Sequence, residues 1–218
     1  MQFGMDMARN SRPAFGRDSH RERAVAEYLD YHLYPKHFQS TNRVNDKKSQ
    51  LAGIDLFATH KDIDGEMKID EKAATSWSHR EIHTFAFELS FILGDQEIGG
   101  WFLDKEKRGE TTHWLCTWPR SENKGISSVS DILWAEALLI EVRKLRNWVR
   151  RMAGKADFTI EEAITNLRSD STISEVMWGT LRVIISRGLP EQPVNLLITK
   201  DVLRSLASES WKLPDDTA

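Results

Sequence analysis

Cysteine is almost absent from this chain, and that excludes two kinds of structural chemistry. Cys116 is the only cysteine among 218 residues. A single thiol forms no internal disulfide, and without partners it cannot build a thiolate metal site. We therefore expect Cys116 to be a core residue of a strand.

Long apolar runs are also missing. No stretch approaches the roughly 18 consecutive apolar residues that a membrane span requires, and residues 1–17 lack the apolar segment of a secretory signal peptide. We therefore expect a cytoplasmic protein that has no membrane partner.

The chain carries no excess of basic charge. Its formal net charge is −3, whereas proteins that coat nucleic acid without specificity have a strong excess of lysine and arginine. Gly99-Gly100 lacks the lysine and hydroxyl residue of a phosphate-binding loop, so ATP or GTP hydrolysis is not expected. With 40% hydrophobic residues, the chain can still bury a sizeable core.

Charged residues at the ends of two neighbouring apolar runs are the most informative feature present. The first run contains Asp55, and the second ends in Asp70, Glu71 and Lys72. A polar turn over residues 61–65 joins the runs, which is typical of a β-hairpin.

The two-residue period of a strand sorts these side chains by face. Asp70 and Lys72 point the same way, opposite to Glu71. If Asp55 comes level with Asp70, the two carboxylates can share a hard divalent cation such as Mg²⁺, which prefers oxygen ligands and keeps several waters. Lys72 would then lie beside one of those waters, and such a set can cleave phosphodiesters. The alternative is an exposed Asp70–Lys72 ion pair worth under about 1 kcal/mol.

These residues resemble the motif of the PD-(D/E)XK, or restriction-endonuclease-like, nucleases. Asp55 stands at the first acid of the family, with isoleucine before it where the family has proline. Residues 70–72 stand at the acid-any-lysine element. The resemblance covers about residues 19–120.

The family also places a glutamate on a helix before the hairpin. Ser19 is a candidate cap for such a helix, and Glu22 is our first choice for the glutamate, with Glu27 the second. Residues 22–29 resemble the opening helix of archaeal Holliday junction resolvases.

The resemblance implies both a fold and an activity. The fold is α/β, a restriction-endonuclease-like central mixed β-sheet flanked by helices. The activity is divalent-metal-dependent phosphodiester hydrolysis by a DNA endonuclease. Asp55, Asp70 and the backbone carbonyl of Glu71 would ligate Mg²⁺ or Mn²⁺. Lys72 would position or deprotonate the attacking water, and Glu22 would bind a second metal or hold a metal-bound water.

A further strand supplies another candidate ligand. Residues 84–91 alternate cleanly, with Phe85, Phe87, Leu89 and Phe91 on the predicted buried face and Glu88 on the other. If this strand lies beside that of Asp70, Glu88 could reach the metal. Otherwise Glu88 is a solvent-facing glutamate.

Basic residues offer candidate phosphate contacts. Arg143, Arg146 and Arg150 fall at i, i+3 and i+7 of a helix that we predict over residues 131–152. They form either a stripe that holds phosphates or the solvated face of that helix.

Two other places could meet nucleic acid. Lys47 and Lys48 lie in a polar loop before the hairpin, where solvated charge is the alternative. Trp77 follows Lys72 in a short connection and could stack on a base, whereas most of the other tryptophans are expected in the core.

The chain divides into three predicted parts. Residues 1–18 are a flexible arm, residues 19–120 the nuclease core, and residues 121–218 a mainly helical extension packed on that core. The expected partner is duplex or branched DNA, while RNA and a homodimer remain open. The alternative function is a catalytically inactive nuclease-fold protein that binds nucleic acid or another protein.

Overall fold

The protein has an α/β fold built on two β-sheets. The computed structural model describes residues 15–215 except 45, 47–48, 50–51, 104–109, 124 and 155–157, and it describes only the backbone of residues 15–19. The described helices are α1 (Phe15–His32), α2 (Tyr34–His37), α3 (Val142–Ala153), α4 (Ile160–Ser169) and α5 (Lys200–Leu206). Within this part of the chain, no helix has the length and hydrophobicity needed to cross a membrane.

The strands are distributed along the whole described chain. They are β1 (Phe38–Arg43), β2 (Leu56–His60), β3 (Glu66–Ala73), β4 (Thr84–Leu93), β5 (Gln96–Gly99), β6 (His113–Arg120), β7 (Trp134–Glu141), β8 (Glu175–Trp178), β9 (Leu181–Ile185), β10 (Val194–Thr199) and β11 (Glu209–Leu213). Short 3₁₀ turns occur at Thr75–Trp77 and Val129–Asp131.

The first sheet is mixed and has the strand order β1-β2-β3-β6-β7-β11. Strands β3 and β6 are parallel, and the other neighbours are antiparallel. Parallel neighbours need a long crossover, and here the chain supplies it by leaving the first sheet after β3 and forming β4 and β5 elsewhere. Those two strands join the antiparallel second sheet, of order β5-β4-β10-β9-β8.

The hydrophobic core has two parts, one on each face of the first sheet. Trp114 and Leu138 pack toward the second sheet, whereas Leu115 and Leu139 pack toward α1. Strands β6 and β7 are buried at every interior position, as expected for central strands covered on both faces. Cys116 is 0% exposed in β6, which confirms its expected place, and burial raises the pKa of its thiol well above the usual range.

The predicted helix and hairpin are both present. Strands β2 and β3 pair antiparallel, and α1 buries Val25 and Leu29 against the first sheet. The helix begins at Phe15, so Ser19 lies inside it and is not its cap. The arm expected over residues 1–18 is therefore helical at residues 15–18, and residues 1–14 lie outside the described residues.

The prediction of a mainly helical C-terminal extension is wrong. Of the helix predicted over residues 131–152, only the part from Val142 onward is helical, because Trp134–Glu141 forms β7. The alanines, leucines and glutamates of that strand favour a helix locally. Tertiary pairing decides otherwise, since β7 lies between β6 and β11 and buries both faces. The C-terminal part of the described chain thus contributes strands to both sheets. The protein has two sheets where the sequence predicted one central sheet.

The central position of β7 predicts a large stability loss on truncation. We expect Leu138→Ala, at a side chain that is 0% exposed, to lower the free energy of unfolding by about 2 to 5 kcal/mol, because it opens a cavity between the sheets. The matched control is Leu133→Ala, just before the strand, where the side chain is 52% exposed. Urea unfolding measures both, and equal midpoints for the two variants would contradict this packing.

Candidate active-site cavity

A cavity of about 370 Å³ lies where α1, β3 and the residues before β2 converge. Ligand pockets typically span about 300 to 1,000 Å³. The charged residues that line it are Glu22, Arg23, Arg43, Asp55, Glu71 and Lys72. Four of these residues are site candidates from the sequence and share this cavity although they are far apart in the chain, namely Glu22, Asp55, Glu71 and Lys72.

Asp55 is held at the edge of β3 by the backbone. The register of β2 with β3 ends where Leu56 pairs with Ile69, and Asp55 is the residue just before it. The Asp55 amide donates to the Ile69 carbonyl at 2.8 Å, and its Oδ2 accepts a hydrogen bond from the Glu71 amide at 2.7 Å. Within the described chain, Oδ1 accepts no hydrogen bond, so one carboxylate oxygen remains for a ligand.

The backbone of Glu71 faces Asp55. The amide and carbonyl of one strand residue point to the same edge of the strand. Since the Glu71 amide binds the Asp55 carboxylate, the Glu71 carbonyl lies along that edge too. This is the carbonyl that the sequence predicted as a metal ligand.

The side chain of Glu71 has a different role, because it is clamped from two sides. Arg43 donates from Nη1 to Oε2 at 2.9 Å and from Nη2 to Oε1 at 3.1 Å, and the Tyr34 hydroxyl donates to Oε1. The Nε of Arg43 also donates to Asp30 at 2.7 Å. Burial raises the pKa of Glu71 despite the opposing effect of Arg43. The clamp ties α1 and α2 to β3.

Asp70 and Lys72 form an ion pair on the opposite face of β3. The Asp70 side chain is 2% exposed and that of Lys72 is 21% exposed. The pair is therefore not the exposed strand-end pair that we considered from the sequence. In the parallel neighbour β6, Trp114 is level with Asp70 and Cys116 with Lys72, so the charges lie against the inter-sheet core.

Trp101 completes the surroundings of Lys72. The Lys72 Nζ lies 5.2 Å from the centroid of the Trp101 ring. The turn that carries Trp101 requires glycine at position 100, because a Cβ there would collide with the backbone of Glu88 and Leu89. Lys72 is among the residues that line the cavity and Asp70 is not, although the Lys72 ammonium itself pairs with Asp70 on the face of β3 opposite to the Glu71 side chain.

The cavity has the donor chemistry of a hard divalent cation. Its donors are oxygens, namely Oδ1 of Asp55, the Glu71 carbonyl and the carboxylate of Glu22. The Thr117 hydroxyl also lines the cavity, and it is buried without a hydrogen-bond partner among the described residues. Such a set fits a cation that keeps several of its waters, as Mg²⁺ does.

The shared Asp55–Asp70 site expected from the sequence is not assembled. Among the described residues, no group of three or more histidine, cysteine, aspartate or glutamate side chains is arranged to hold a metal ion. The physical reason is the ion pair, because Asp70 is directed to Lys72 while Asp55 is directed to the Glu71 amide.

The helix supplies Glu22 to the cavity and leaves Glu27 outside it. Glu22 lines the cavity from an exposed position on α1. Glu27 is exposed and is not a lining residue. The structure thus places our first choice, and not the second, beside Asp55.

The structure does not bring Glu88 to the site. It lies on β4 of the second sheet, level with Asn195 of β10, while Phe87 and Leu89 fill the inter-sheet core. Of the two alternatives left open for β4, pairing with the Asp70 strand does not occur, because β2 and β6 occupy both edges of β3.

The arginines of α3 do not form one stripe. Arg146 turns inward, donates to the Phe102 carbonyl at 2.9 Å and lies 5.4 Å from the Trp114 ring centroid. Arg143 and Arg150 remain exposed. The inward turn follows from α3 packing on the core.

The remaining candidates for nucleic-acid contact lie before and after the hairpin. Lys47 and Lys48 lie outside the described residues. Trp77 ends the 3₁₀ turn after β3 and is 49% exposed.

Sequence reasoning missed Arg43, Tyr34 and Thr117. Arg43 and Tyr34 are 28 and 37 positions away from Glu71 in the sequence. No local sequence pattern predicts a contact over such a separation. Thr117 looks like an ordinary strand residue until β6 is placed beside β3.

Comparisons with family models, curated proteins and solved structures find no match to this chain. The chemistry of the cavity is therefore inferred from its residues and their geometry.

The Glu71 clamp predicts a pH-dependent stability loss. Arg43→Ala leaves the buried Glu71 carboxylate without its cation, and we expect it to cost about 2 to 3 kcal/mol at neutral pH, less than a fully buried pair because Arg43 is partly exposed. Burial already raises the pKa of Glu71, and losing Arg43 raises it further. The penalty is therefore smallest at acid pH, where Glu71 is protonated and only the bonds of Arg43 to α1 are lost, and it grows as the pH rises.

The matched control is Arg182→Ala, which breaks an exposed ion pair with Glu175 and should cost under about 1 kcal/mol at any pH. Urea unfolding at several pH values measures both variants. A loss no larger than that of the control, or one that does not vary with pH, would show that the clamp does not stabilise the fold.

Proposed function

We propose that this protein is a divalent-metal-dependent nuclease that hydrolyses phosphodiester bonds, with DNA as substrate. The observation that carries the proposal is the single cavity in which Glu22, Asp55, the Glu71 backbone and Lys72 converge. These are four of the positions that the resemblance to PD-(D/E)XK nucleases assigns to the site, and the fifth, Asp70, is paired with Lys72. The mixed sheet and its helices are compatible with a restriction-endonuclease-like fold, which is part of the proposal.

Oxygen ligands at the edge of β3 would hold the cation. Asp55 offers Oδ1, the Glu71 carbonyl lies along the same edge, and Glu22 supplies a third oxygen donor from α1. A bound Mg²⁺ or Mn²⁺ supplies Lewis-acid stabilisation and lowers the pKa of its water. The Asp55–Glu71 hydrogen bond keeps the ligands pre-positioned, so little reorganisation is needed on binding.

Lys72 supplies positive charge to the reacting phosphate. Its pairing with Asp70 and its contact with Trp101 restrict the ammonium to the end of β3. A fixed cation beside a cavity stabilises the charge that develops on a phosphate more effectively than a mobile one. In this proposal Asp70 acts mainly by positioning Lys72.

The same ion pair favours a second candidate function. Asp70 is buried and paired with Lys72, as a structural pair would be in a catalytically inactive member of the fold. The cavity would then bind nucleic acid or a protein partner without cutting it. Loss of Asp55 would leave such binding intact.

Cleavage of supercoiled plasmid with Mg²⁺ or Mn²⁺ tests the nuclease directly. We expect Asp55→Asn and Lys72→Met each to lower the cleavage rate at least about 100-fold, because one removes a ligand charge and the other the cation beside the phosphate. Asp64→Asn in the hairpin turn and Lys68→Met, on the same face of β3 as Lys72, are the matched controls and should cut normally.

Circular dichroism of each variant establishes that it is folded. Absence of cutting on plasmid, single-stranded DNA and RNA would reject the nuclease and favour the inactive binding protein. Unchanged cutting by Asp55→Asn would instead reject Asp55 as part of the site.

Metal binding has its own readout without substrate. We expect Mn²⁺ to raise the melting temperature, since a ligand that binds only the folded state at 100 times its Kd adds about 2.7 kcal/mol. Asp55→Asn should abolish this shift, whereas Asp64→Asn should keep it. If Mn²⁺ stabilises both variants equally, Asp55 is not a ligand.

A further inference from the structure

A second depression, here called the aromatic groove, lies beside the cavity. Trp77, Arg80, Arg120 and Trp134 line it. Ala73 and Thr117 line the cavity, while Ala74 and Trp118, the next residues along the chain in each case, line the groove. Only the end of β3 and its neighbour β6 separate the two.

Trp77 presents an aromatic surface at the mouth of this groove. It is 49% exposed, and its ring stacks on that of His79, with 6.4 Å between centroids and an interplanar angle of 27°. The guanidinium carbon of Arg80 lies 4.9 Å from the Trp77 centroid. The indole is thus held in place by its neighbours while about half of it faces solvent.

Arg120 adds an unsatisfied donor to the groove. Its Nη1 is buried and has no hydrogen-bond partner among the described residues. Arg120 therefore places positive charge behind the wall of the groove, while the exposed Arg80 carries its charge at the surface.

The charge of the groove favours an anion. The charged residues that line the groove are three cations, Arg80, Arg120 and Lys200, and one acid, Glu81. Lys200 is neutralised by Glu136 at 2.8 Å, which leaves two arginines against one glutamate. Lys212 lies over the second tryptophan, with Nζ 5.4 Å from the Trp134 centroid. Aromatic faces interleaved with cations are the features that bind single-stranded nucleic acid.

We propose that the aromatic groove binds an unpaired segment of the nucleic-acid substrate, with a base stacked on Trp77 and a phosphate at the exposed Arg80. This rests on the proposed nuclease function and deepens it, because it makes the substrate DNA that contains unpaired nucleotides next to the scissile bond. Bases of an intact duplex are stacked on one another and do not reach the indole. Duplex that is fully paired therefore lacks this contact.

Binding in EDTA tests the groove without cleavage. The probes are a fluorescein-labelled single-stranded 20-mer and its fully paired duplex, measured by anisotropy. We expect the wild type to bind the single strand more tightly, and Trp77→Ala to weaken that binding about 5-fold to 150-fold, the equivalent of the 1 to 3 kcal/mol of one stacked base. Duplex binding should not change.

Two controls separate stacking from general surface effects. Trp77→Phe keeps an aromatic face and should retain most of the single-strand affinity. Leu93→Ala removes a hydrophobic side chain that is 61% exposed on β4 and should behave as wild type. The proposal is overturned if Trp77→Ala binds the single strand as the wild type does, or if single strand and duplex bind equally.

The two proposals fail separately. A protein whose single-strand binding depends on Trp77 but which never cuts has the groove without the nuclease. A protein that loses DNA cleavage with Asp55→Asn but keeps its single-strand affinity with Trp77→Ala is a nuclease that does not use the aromatic groove.

Discussion

The placement of β3 between β2 and β6 is the constraint on which the candidate site depends. Pairing with β2 brings Asp55 to the edge of β3, and parallel pairing with β6 brings Thr117 alongside. The Glu71 side chain then fixes α1 through Arg43, which sets Glu22 above the same cavity. Asp55 thus comes from the chain before β2, Thr117 from β6 and Glu22 from α1, and all three elements pack around β3.

The charges on β3 are divided between two environments by strand alternation. Glu71 faces α1 and is neutralised by Arg43, whereas Asp70 and Lys72 face the aromatic core and neutralise each other. A buried pair contributes little net stability compared with apolar residues of similar size, but removing one partner is costly. The pair is thus poorly explained by stability alone, and a charge held beside a cavity is a reason to keep it.

Sequence reasoning succeeded where the pattern was local. The β2–β3 hairpin, the burial of Phe85, Phe87 and Leu89 on β4 and the core position of Cys116 all follow from alternation and turn residues. The alternation ends before Phe91, which is only partly buried, whereas its neighbour Ser90 is buried. It failed at β7, where good helix formers occupy a central strand because long-range pairing outweighs propensity. The two-sheet arrangement and the Arg43 clamp could not be predicted, since they depend on contacts between distant parts of the chain.

The second sheet affects the order in which the molecule folds. Strand β4 receives its neighbour β10 from a segment about 100 positions further along the chain, because Ser90 pairs with Val194. Non-local pairings of this kind form slowly. The β2–β3 hairpin joins segments that are close in the sequence and can form early, whereas the apolar layer that encloses Asp70 and Lys72 closes only when β10 pairs with β4. Folding therefore brings Asp55 beside the Glu71 backbone before it fixes the surroundings of Lys72.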